Sequence, residues 1–479
     1  MTLCGLCYVP VTVLVCIKCG LKTHKRRHLI ADIDHRRDIT TMRLPSPGPL
    51  TTRAFASLPP TGLETGGAGG SSAISGLIAQ DAALRLLHSG SWPASEPPQF
   101  VRTLGFARPS EEDALSADVC VCGGTLGLLV ACALQLKGHR VAVVEAGPLR
   151  GRAQDWNTSE DELRQLVAAG VLDESELPLV APLSFGPMSC RFGRAPTFEL
   201  KLKGVLDVAV SPRVLLETVR ARFEAAGGVV LESSPVRAIR IHPDGAALEL
   251  AAGQQTTVLH SRLVLDCMGH RSPIALQQRN GQRPDGVCVQ VGACCAVGGR
   301  QDARWSTGSP PDVPGDFFVT ADDAVRAGPR GRARMQYFWQ AFPSCRSPSE
   351  RSTYLFTYLR PGEEMPGLLD VMEDYWRLLP SYGTSPAKSS QVSLASDAVS
   401  PEAAQRILFG WFPTYRRNSP LAPAFDRILS IGDASAVQSP ISFGGFCAML
   451  RHLPRYSRGL DLALTADRLS RDDLCAAAA

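Results

Sequence analysis

The sequence predicts an α/β fold, with a Rossmann-like nucleotide-binding part interleaved with a second, β-sheet part. Three stretches predict it. In the first, Asp118-Val119-Cys120-Val121-Cys122 breaks at Gly123-Gly124-Thr125-Leu126-Gly127. It continues as a helical pattern from Leu128 to Leu136 and returns as Val141-Ala142-Val143-Val144, ending on Glu145. In the second, Leu263-Val264-Leu265-Asp266 runs into Cys267-Met268-Gly269. In the third, Arg427 to Ile431 runs into Gly432-Asp433-Ala434-Ser435. A loop bearing Pro440, Gly444 and Gly445 then opens a helix from Phe446 to His452.

The first stretch reads as a dinucleotide unit. Glycines let the backbone approach a pyrophosphate, and the following helix offers free N–H groups and the positive end of its dipole. A carboxylate about twenty residues on, here Glu145, accepts from a ribose hydroxyl. The three glycine positions of G-x-G-x-x-G hold Cys122, Gly124 and Gly127. The plain alternative is a buried βαβ crossover with no ligand and Glu145 as a solvated strand end. In the third stretch, the carboxylate of Asp433 can hold a ribitol or ribose hydroxyl. The turn at Gly444 and Gly445 can offer N–H groups and a helix dipole to an isoalloxazine ring.

Composition bounds the rest. The chain has 479 residues, 44% hydrophobic and 20% charged, enough for a large core and two or three domains. Net charge of +4 and 6% aromatics argue against nucleic acid. Of 15 cysteines, those at 120, 122, 132 and 267 sit where Val or Ala would sit, as small buried hydrophobes in a reducing compartment. No apolar run is long enough for a transmembrane helix.

The first 115 residues differ. Cys4, Cys7, Cys16 and Cys19, with His24 and His28, allow a zinc knuckle, although the spacing between the pairs is short. The reading preferred here is an organelle-targeting leader: an apolar stretch, a basic stretch from Lys22 to Arg37, and a Pro-, Gly- and Ser-rich stretch over 44–72 expected to be disordered. Ser75 to Leu87 forms a helical pattern, and Trp92 to Arg108 leads into the fold.

Beyond Glu145, Gly147 to Arg152 is a basic loop whose arginines can reach a pyrophosphate; a solvated loop is the alternative. Ser159-x-x-Glu162 is a capping box opening a helix to Ala169. Val208 to Val210 is a strand. Ser211-Pro212 then starts a helix to Ala226 that stops at Gly227-Gly228. Val229 to Leu231, Ala238 to Ile241, Ala246 to Leu250, Thr256 to Leu259 and Leu263 to Asp266 are strands, an α/β half with an inserted β-meander. Val287 to Val291, Phe317 to Val319, Met335 to Trp339 and Ser352 to Leu359 make a second sheet, the wall of a substrate cavity, with Tyr354, Phe356 and Tyr358 on one face. Leu368 to Leu379 is an amphipathic helix closed by Pro380.

These motifs in this order resemble the FAD-dependent oxidoreductases of the glutathione-reductase-like class. The branch is that of para-hydroxybenzoate hydroxylase, geranylgeranyl reductase, flavin halogenases and lycopene cyclases, with plastid lycopene-cyclase-like flavoproteins nearest. Cys122 to Gly127, Asp155-Trp156-Asn157, Asp266 to Gly269, Phe412 to Tyr415, Ser419 to Leu421 and Gly432 to Gly445 carry the resemblance, over about residues 115–465. It implies FAD, with NADPH as candidate electron donor. Gly123, Gly124, Thr125, Gly127 and Glu145 would hold the ADP half, Arg152 the pyrophosphate, and Val236 the adenine through its backbone. Gly269 would line the second crossing, Gly432 and Asp433 would hold the ribitol-pyrophosphate, and Pro440, Gly444 and Gly445 would face the flavin ring.

The sequence departs from the class in lacking the F-L-E-E-T motif of lycopene cyclases, the W-x-W-x-I-P motif of tryptophan halogenases and a second G-x-G-x-x-G. The expected organisation is a leader over 1–115, a flavin part over about 116–160, 205–275 and 425–465, a substrate sheet over about 165–204 and 285–420, and a short tail over 466–479. The expected function is an FAD-dependent oxidoreductase on an apolar, isoprenoid- or carotenoid-like substrate. The alternatives are a non-redox flavin-dependent carotenoid-cyclase-like enzyme and a degenerate flavin-binding scaffold without turnover. A plastid location, with the cytoplasm as alternative, and peripheral membrane association go with that reading. No catalytic acid or base is assigned. His270, Arg271, Tyr415 and Arg416 are candidates whose plain alternative is structural.

Overall fold

The run ending at Cys122 lies inside an eight-stranded sheet, buried on both faces. The computed structural model describes residues 45–58, 73–91, 99–109, 114–151, 153–192, 198–253, 255–296, 315–319, 324–328, 331–346, 350–384, 400–415, 422–435 and 445–478. Helices α1 (Pro49–Ser57) and α2 (Ile74–Ser89) precede strands β1 (Val101–Thr103) and β2 (Leu115–Cys122), helix α3 (Gly127–Gln135) and strand β3 (Val141–Val144). Then come β4 (Trp156–Thr158), α4 (Glu160–Ala168), β5 (Leu183–Ser184), β6 (Met188–Phe192), β7 (Phe198–Leu202), β8 (Val208–Val210) and α5 (Pro212–Ala225). Strands β9 (Val229–Leu231), β10 (Val236–His242), β11 (Gly245–Ala252) and β12 (Gln255–Asp266) lead to α6 (Pro273–Arg279). The next strands are β13 (Gly286–Ala296), β14 (Asp316–Val319), β15 (Ala324–Gly328), β16 (Gly331–Met335), β17 (Phe338–Pro343) and β18 (Glu350–Leu359). Helix α7 (Leu368–Thr384), β19 (Ala404–Thr414), β20 (Ile428–Ser430), α8 (Gly445–Thr465) and α9 (Arg471–Ala478) close the chain order.

The first sheet runs β1-β10-β11-β12-β2-β3-β9, with β20 also beside β12. Strands β20, β12, β2, β3 and β9 are mutually parallel, whereas β10, β11 and β12 form the antiparallel meander. Along β2, Val119 and Val121 enter a core shared with α3, α5 and α8, and Cys120 and Cys122 enter a second core with the meander. All four are fully buried, which is why the strand reads as a continuous apolar run. The cysteines there are free thiols packed as small apolar groups. Two expected strands merge into β12, because Ser261 is itself buried and its hydroxyl donates to the Leu263 carbonyl.

The second sheet runs β19-β13-β18-β17-β14-β6-β7, antiparallel except where β14 meets β6. Helices α1, α2 and α7 cover one face, burying Phe55, Leu77, Leu84, Tyr375 and Trp376 against Val289, Val291 and Leu355. The opposite face carries Tyr354, Phe356 and Tyr358, which fall on one side of β18 as alternation predicts.

Several expectations are corrected. Disorder over 44–72 does not hold for residues 45–58, because the Pro- and Thr-rich composition conceals the buried set Thr51, Ala54, Phe55 and Leu58. The α1 N-terminus is satisfied from outside: Glu373 on α7 accepts from Leu50 N, Thr51 N and Thr51 Oγ1 at 3.0, 3.0 and 2.8 Å. Residues 59–72, and the cysteines and histidines of the candidate zinc knuckle, lie outside the described residues. Pro380 does not close its helix. α7 continues to Thr384, held by buried Tyr382, whose hydroxyl donates to Asp316 at 2.6 Å. The Phe446–His452 helix extends from Gly445 to Thr465 through Pro454. Met335 to Trp339 is two strands, β16 ending at Met335 and β17 starting at Phe338. The expected tail contains α9, whose Leu474 is fully buried and whose backbone at Ala477 would meet a Cβ on Gly459 at 2.3 Å.

The N-terminal helices are therefore part of the core. Losing Phe55, Leu58, Leu77, Leu84 and Leu87 at ~2 kcal/mol each removes about 10 kcal/mol, the size of a whole domain's stability. A chain trimmed to begin at Ala117 should give no cooperative thermal transition and should aggregate on size-exclusion chromatography, where the full chain melts cooperatively. A soluble, cooperatively melting Ala117 chain would contradict this account.

Candidate dinucleotide site

Three strand ends and the turns that leave them build the site. At the first, Gly123 has φ +97°, and an added Cβ would lie 2.6 Å from the Cys267 carbonyl oxygen, so only glycine fits. Its N–H donates to Val144 O at 2.9 Å, closing the turn. A Cβ on Gly127 would lie 2.8 Å from Val121 Cγ1 and 3.0 Å from Cys267 Cβ, which shows how tightly α3 is pressed onto the sheet. Cys122 stands at the first fingerprint position without harm. It is still within β2, paired with Val144 and Asp266, and the left-handed turn falls on Gly123 instead. Helix α3 begins with neither an acidic residue in its first turn nor a side-chain cap, so it presents backbone N–H groups for an anion.

Glu145 follows directly on β3 and folds back over the turn. Its Oε2 accepts from Gly124 N at 2.7 Å and its Oε1 from Ala146 N at 3.0 Å. Beside it opens a cleft of about 350 Å³, lined by Gly123, Thr125, Glu145, Ser234, Val236 and Met268 among others. That is the small end of the range for ligand clefts. Val236 reaches the rim where β10 bulges between Val236 and Ala238. The structure thus gathers Gly123, Gly124, Thr125, Gly127, Glu145 and Val236 around one turn and its cleft.

At the second strand end, fully buried Asp266 ties the loops together. Its carboxylate accepts from Ser272 Oγ at 2.7 Å, Met268 N at 3.1 Å and Ser430 Oγ at 3.4 Å, and its carbonyl accepts from Ile431 N at 2.9 Å. Burial pushes its carboxyl up to about 6, against the hydrogen bonds from Ser272, Met268 and Ser430. Gly269 follows at φ +82° in open space. At the third, Gly432 has φ +66°, and the turn carrying Asp433 is closed by Ser435 Oγ donating to Gly432 O at 2.7 Å. Because β12 and β20 pair from Val264↔Ile428 to Asp266↔Ser430, the Gly269 and Gly432 turns leave the sheet side by side. Gly445 is the first residue of α8. Arg152, Pro440, Gly444 and Arg416 lie outside the described residues.

Sequence reading missed Arg279, at the end of α6, only 6% exposed. Its guanidinium donates to His270 O at 2.9 Å and Ala434 O at 3.2 Å, and lies 5.0 Å from the Tyr415 ring centre. An arginine closing a short polar helix has no sequence signal for that role. Ser272 did have one: it stands six residues past Asp266, both donating to it and capping α6 through Ala275 N.

Two of the catalytic candidates, His270 and Tyr415, become supports. The His270 ring packs on Trp411 and Phe412, and burial with Arg279 and Arg271 nearby pushes it down to about 3, so it is neutral near pH 7. Tyr415 is buried beneath Arg279, and burial raises its phenol. Arg271 is exposed.

The face of the second sheet turned away from α1, α2 and α7 is aromatic. Phe338 stacks on Phe356 at 5.3 Å and meets Tyr358 at 5.4 Å, and Phe317 lies 6.2 Å from Phe356. One end is polar: Gln154 donates to Ser352 Oγ at 2.6 Å and Tyr354 Oη at 2.7 Å and accepts from Cys294 Sγ at 2.6 Å. Among the described residues no cluster could hold a metal ion, and no helix is long and apolar enough to cross a membrane.

The raised carboxyl of Asp266 sets a pH dependence. Folding favours its protonated form, so its contribution is fully present below the ordinary carboxylate value near 4 and is lost as pH rises to about 6. Relative to Asp266→Asn, the native chain should lose on the order of 2 kcal/mol of stability between pH 4 and 6. Denaturant unfolding of both chains across that range measures it, and parallel curves would refute it.

No protein-family model and no curated protein matches the sequence. Solved structures do match. The fold is similar to a geranylgeranyl bacteriochlorophyll reductase-like protein from Thermoplasma acidophilum, with TM-score 0.54 and 14% identity over 76% of this chain and 82% of that one. It is similar to PqsL, a probable FAD-dependent monooxygenase from Pseudomonas aeruginosa, with TM-score 0.52 and 15% identity over 76% and 90%. It is also similar to halogenase PltM in complex with phloroglucinol and FAD, with TM-score 0.53 and 14% identity over 75% and 72%. At these identities the likeness establishes the architecture alone, a Rossmann-like domain interleaved with a sheet domain.

Proposed function

We propose that the chain is an FAD-dependent oxidoreductase acting on an apolar substrate held against the aromatic face of the second sheet. The observation that carries the reading is the convergence of three strand ends on one side of the first sheet, with a cleft bordered by Gly123 and Glu145. The residues present fit the cofactor. The uncapped start of α3 and the turn at Gly123 and Gly124 would take its pyrophosphate. Glu145 would exchange its bond to Gly124 N for ribose hydroxyls, and Val236 would border the adenine. Gly269 and the turn at Gly432 and Asp433 would border the remainder.

Bound FAD would supply the hydride or electron transfer. The chain's own residues would do the rest. Phe317, Phe338, Phe356 and Tyr358 would bind an apolar, aromatic or isoprenoid-like molecule and exclude water. Gln154 and Tyr354 would orient its polar end. NADPH is the proposed electron donor.

The non-redox cyclase reading is favoured by one group, Asp155, whose buried carboxyl is raised and accepts from Cys345 N at 2.7 Å. NADPH consumption with each turnover supports the oxidoreductase, and turnover without it supports the cyclase. The purified full chain should show oxidised-flavin absorbance and release FAD on denaturation. Glu145→Ala should weaken FAD binding about tenfold or more, as expected for losing charged hydrogen bonds. A colourless chain that cannot be reconstituted would leave a scaffold without turnover.

A further inference from the structure

We propose that Arg279 is the positioning residue that sets the spacing of the two turns bordering the distal part of the cofactor, a role that rests on the FAD reading above. The two turns come from strands far apart in sequence. One follows β12 and holds Gly269; the other follows β20 and holds Asp433. The sheet aligns their first residues through Asp266↔Ser430, but beyond that pair the chains diverge. Arg279 reaches across the divergence. One guanidinium nitrogen holds His270 O, next to Gly269, and the other holds Ala434 O, next to Asp433.

Both turns contain a left-handed glycine, so neither backbone has a single preferred path of its own. The planar fork of an arginine fixes two acceptors at a set separation, which a lysine ammonium cannot do. The guanidinium is itself held, with the Tyr415 ring on one face. Arg279 thus acts on the cofactor through the two turns and need not touch it.

The test uses the full chain with Arg279→Met and Arg279→Lys. Amide hydrogen exchange is followed over residues 267–272 and 431–435 without added cofactor, and FAD affinity and the visible circular dichroism of bound flavin are measured separately. Arg279→Met should speed exchange in both segments together and weaken FAD binding about tenfold or more. Arg279→Lys, which keeps the charge and is the fallback should the methionine variant not fold, should still alter the flavin dichroism, because its compact ammonium cannot hold the two carbonyls at the separation the guanidinium sets. Unchanged FAD affinity and dichroism in the variants, or loosening of only one turn, would overturn the proposal. A native chain that binds no FAD would overturn the functional reading instead, while exchange in the two segments still decides whether Arg279 clamps them.

Discussion

The carboxyl of Asp266 is the joint on which the site depends. Among the described residues no guanidinium or ammonium is in hydrogen-bonding contact with it, and it gathers a backbone N–H from Met268 and hydroxyls from Ser272 and Ser430. Two neighbouring bonds extend the knot: Cys267 N to Cys122 O and Ile431 N to Asp266 O. The ends of β2, β12 and β20 are thereby fixed relative to one another. Each then releases a turn containing a glycine at positive φ. Rigid strand ends followed by permissive turns are what a large cofactor needs, since the scaffold sets position and the turns supply close approach.

The second sheet depends on a different device. Its outer face is closed by helices from distant parts of the sequence, and the contacts between them are polar as well as apolar. Glu373 on α7 caps α1, and buried Asp81 on α2 accepts from Leu369 N at the start of α7. Each helix finishes hydrogen bonds the other cannot make for itself. The inner face is left free to differ in chemistry, with aromatic rings across its centre and hydrogen-bonding groups at one end.

Much of the nucleotide half was legible because its signals are local. The continuous apolar runs of β2 and β3, the Ser159 capping box, the Ser211-Pro212 helix start and the glycine spacing each depend on neighbours within a few residues, and each is where the pattern places it. Glu145 was legible for the same reason. What sequence could not show was long-range. Phe55 is the lone aromatic of a Pro-rich stretch, and its partner surface on α7 lies far along the chain. Pro380 and Pro454 look like stops, yet burial of Tyr382 and of Tyr456 and Leu460 keeps both helices going. Arg279 acts through two carbonyls 9 and 155 residues away, a separation that leaves no periodic trace.

The placement of β20 bears on how the chain comes to be folded at all. The first sheet starts with β1 and β2 near residue 100 but is not complete until Ile428 to Ser430 has been made, and its core still lacks α8 at that point. Between those events the ribosome delivers the whole second sheet. A nascent chain therefore holds β12 with an unpaired edge over Val264 to Asp266 from the time Asp266 is made until Ile428 to Ser430 arrives. Such an edge is a template for strand addition, and assembly dominated by distant pairings is slow. The architecture that brings three distant turns to one site thus also makes the chain a candidate client for chaperones until its last strand arrives.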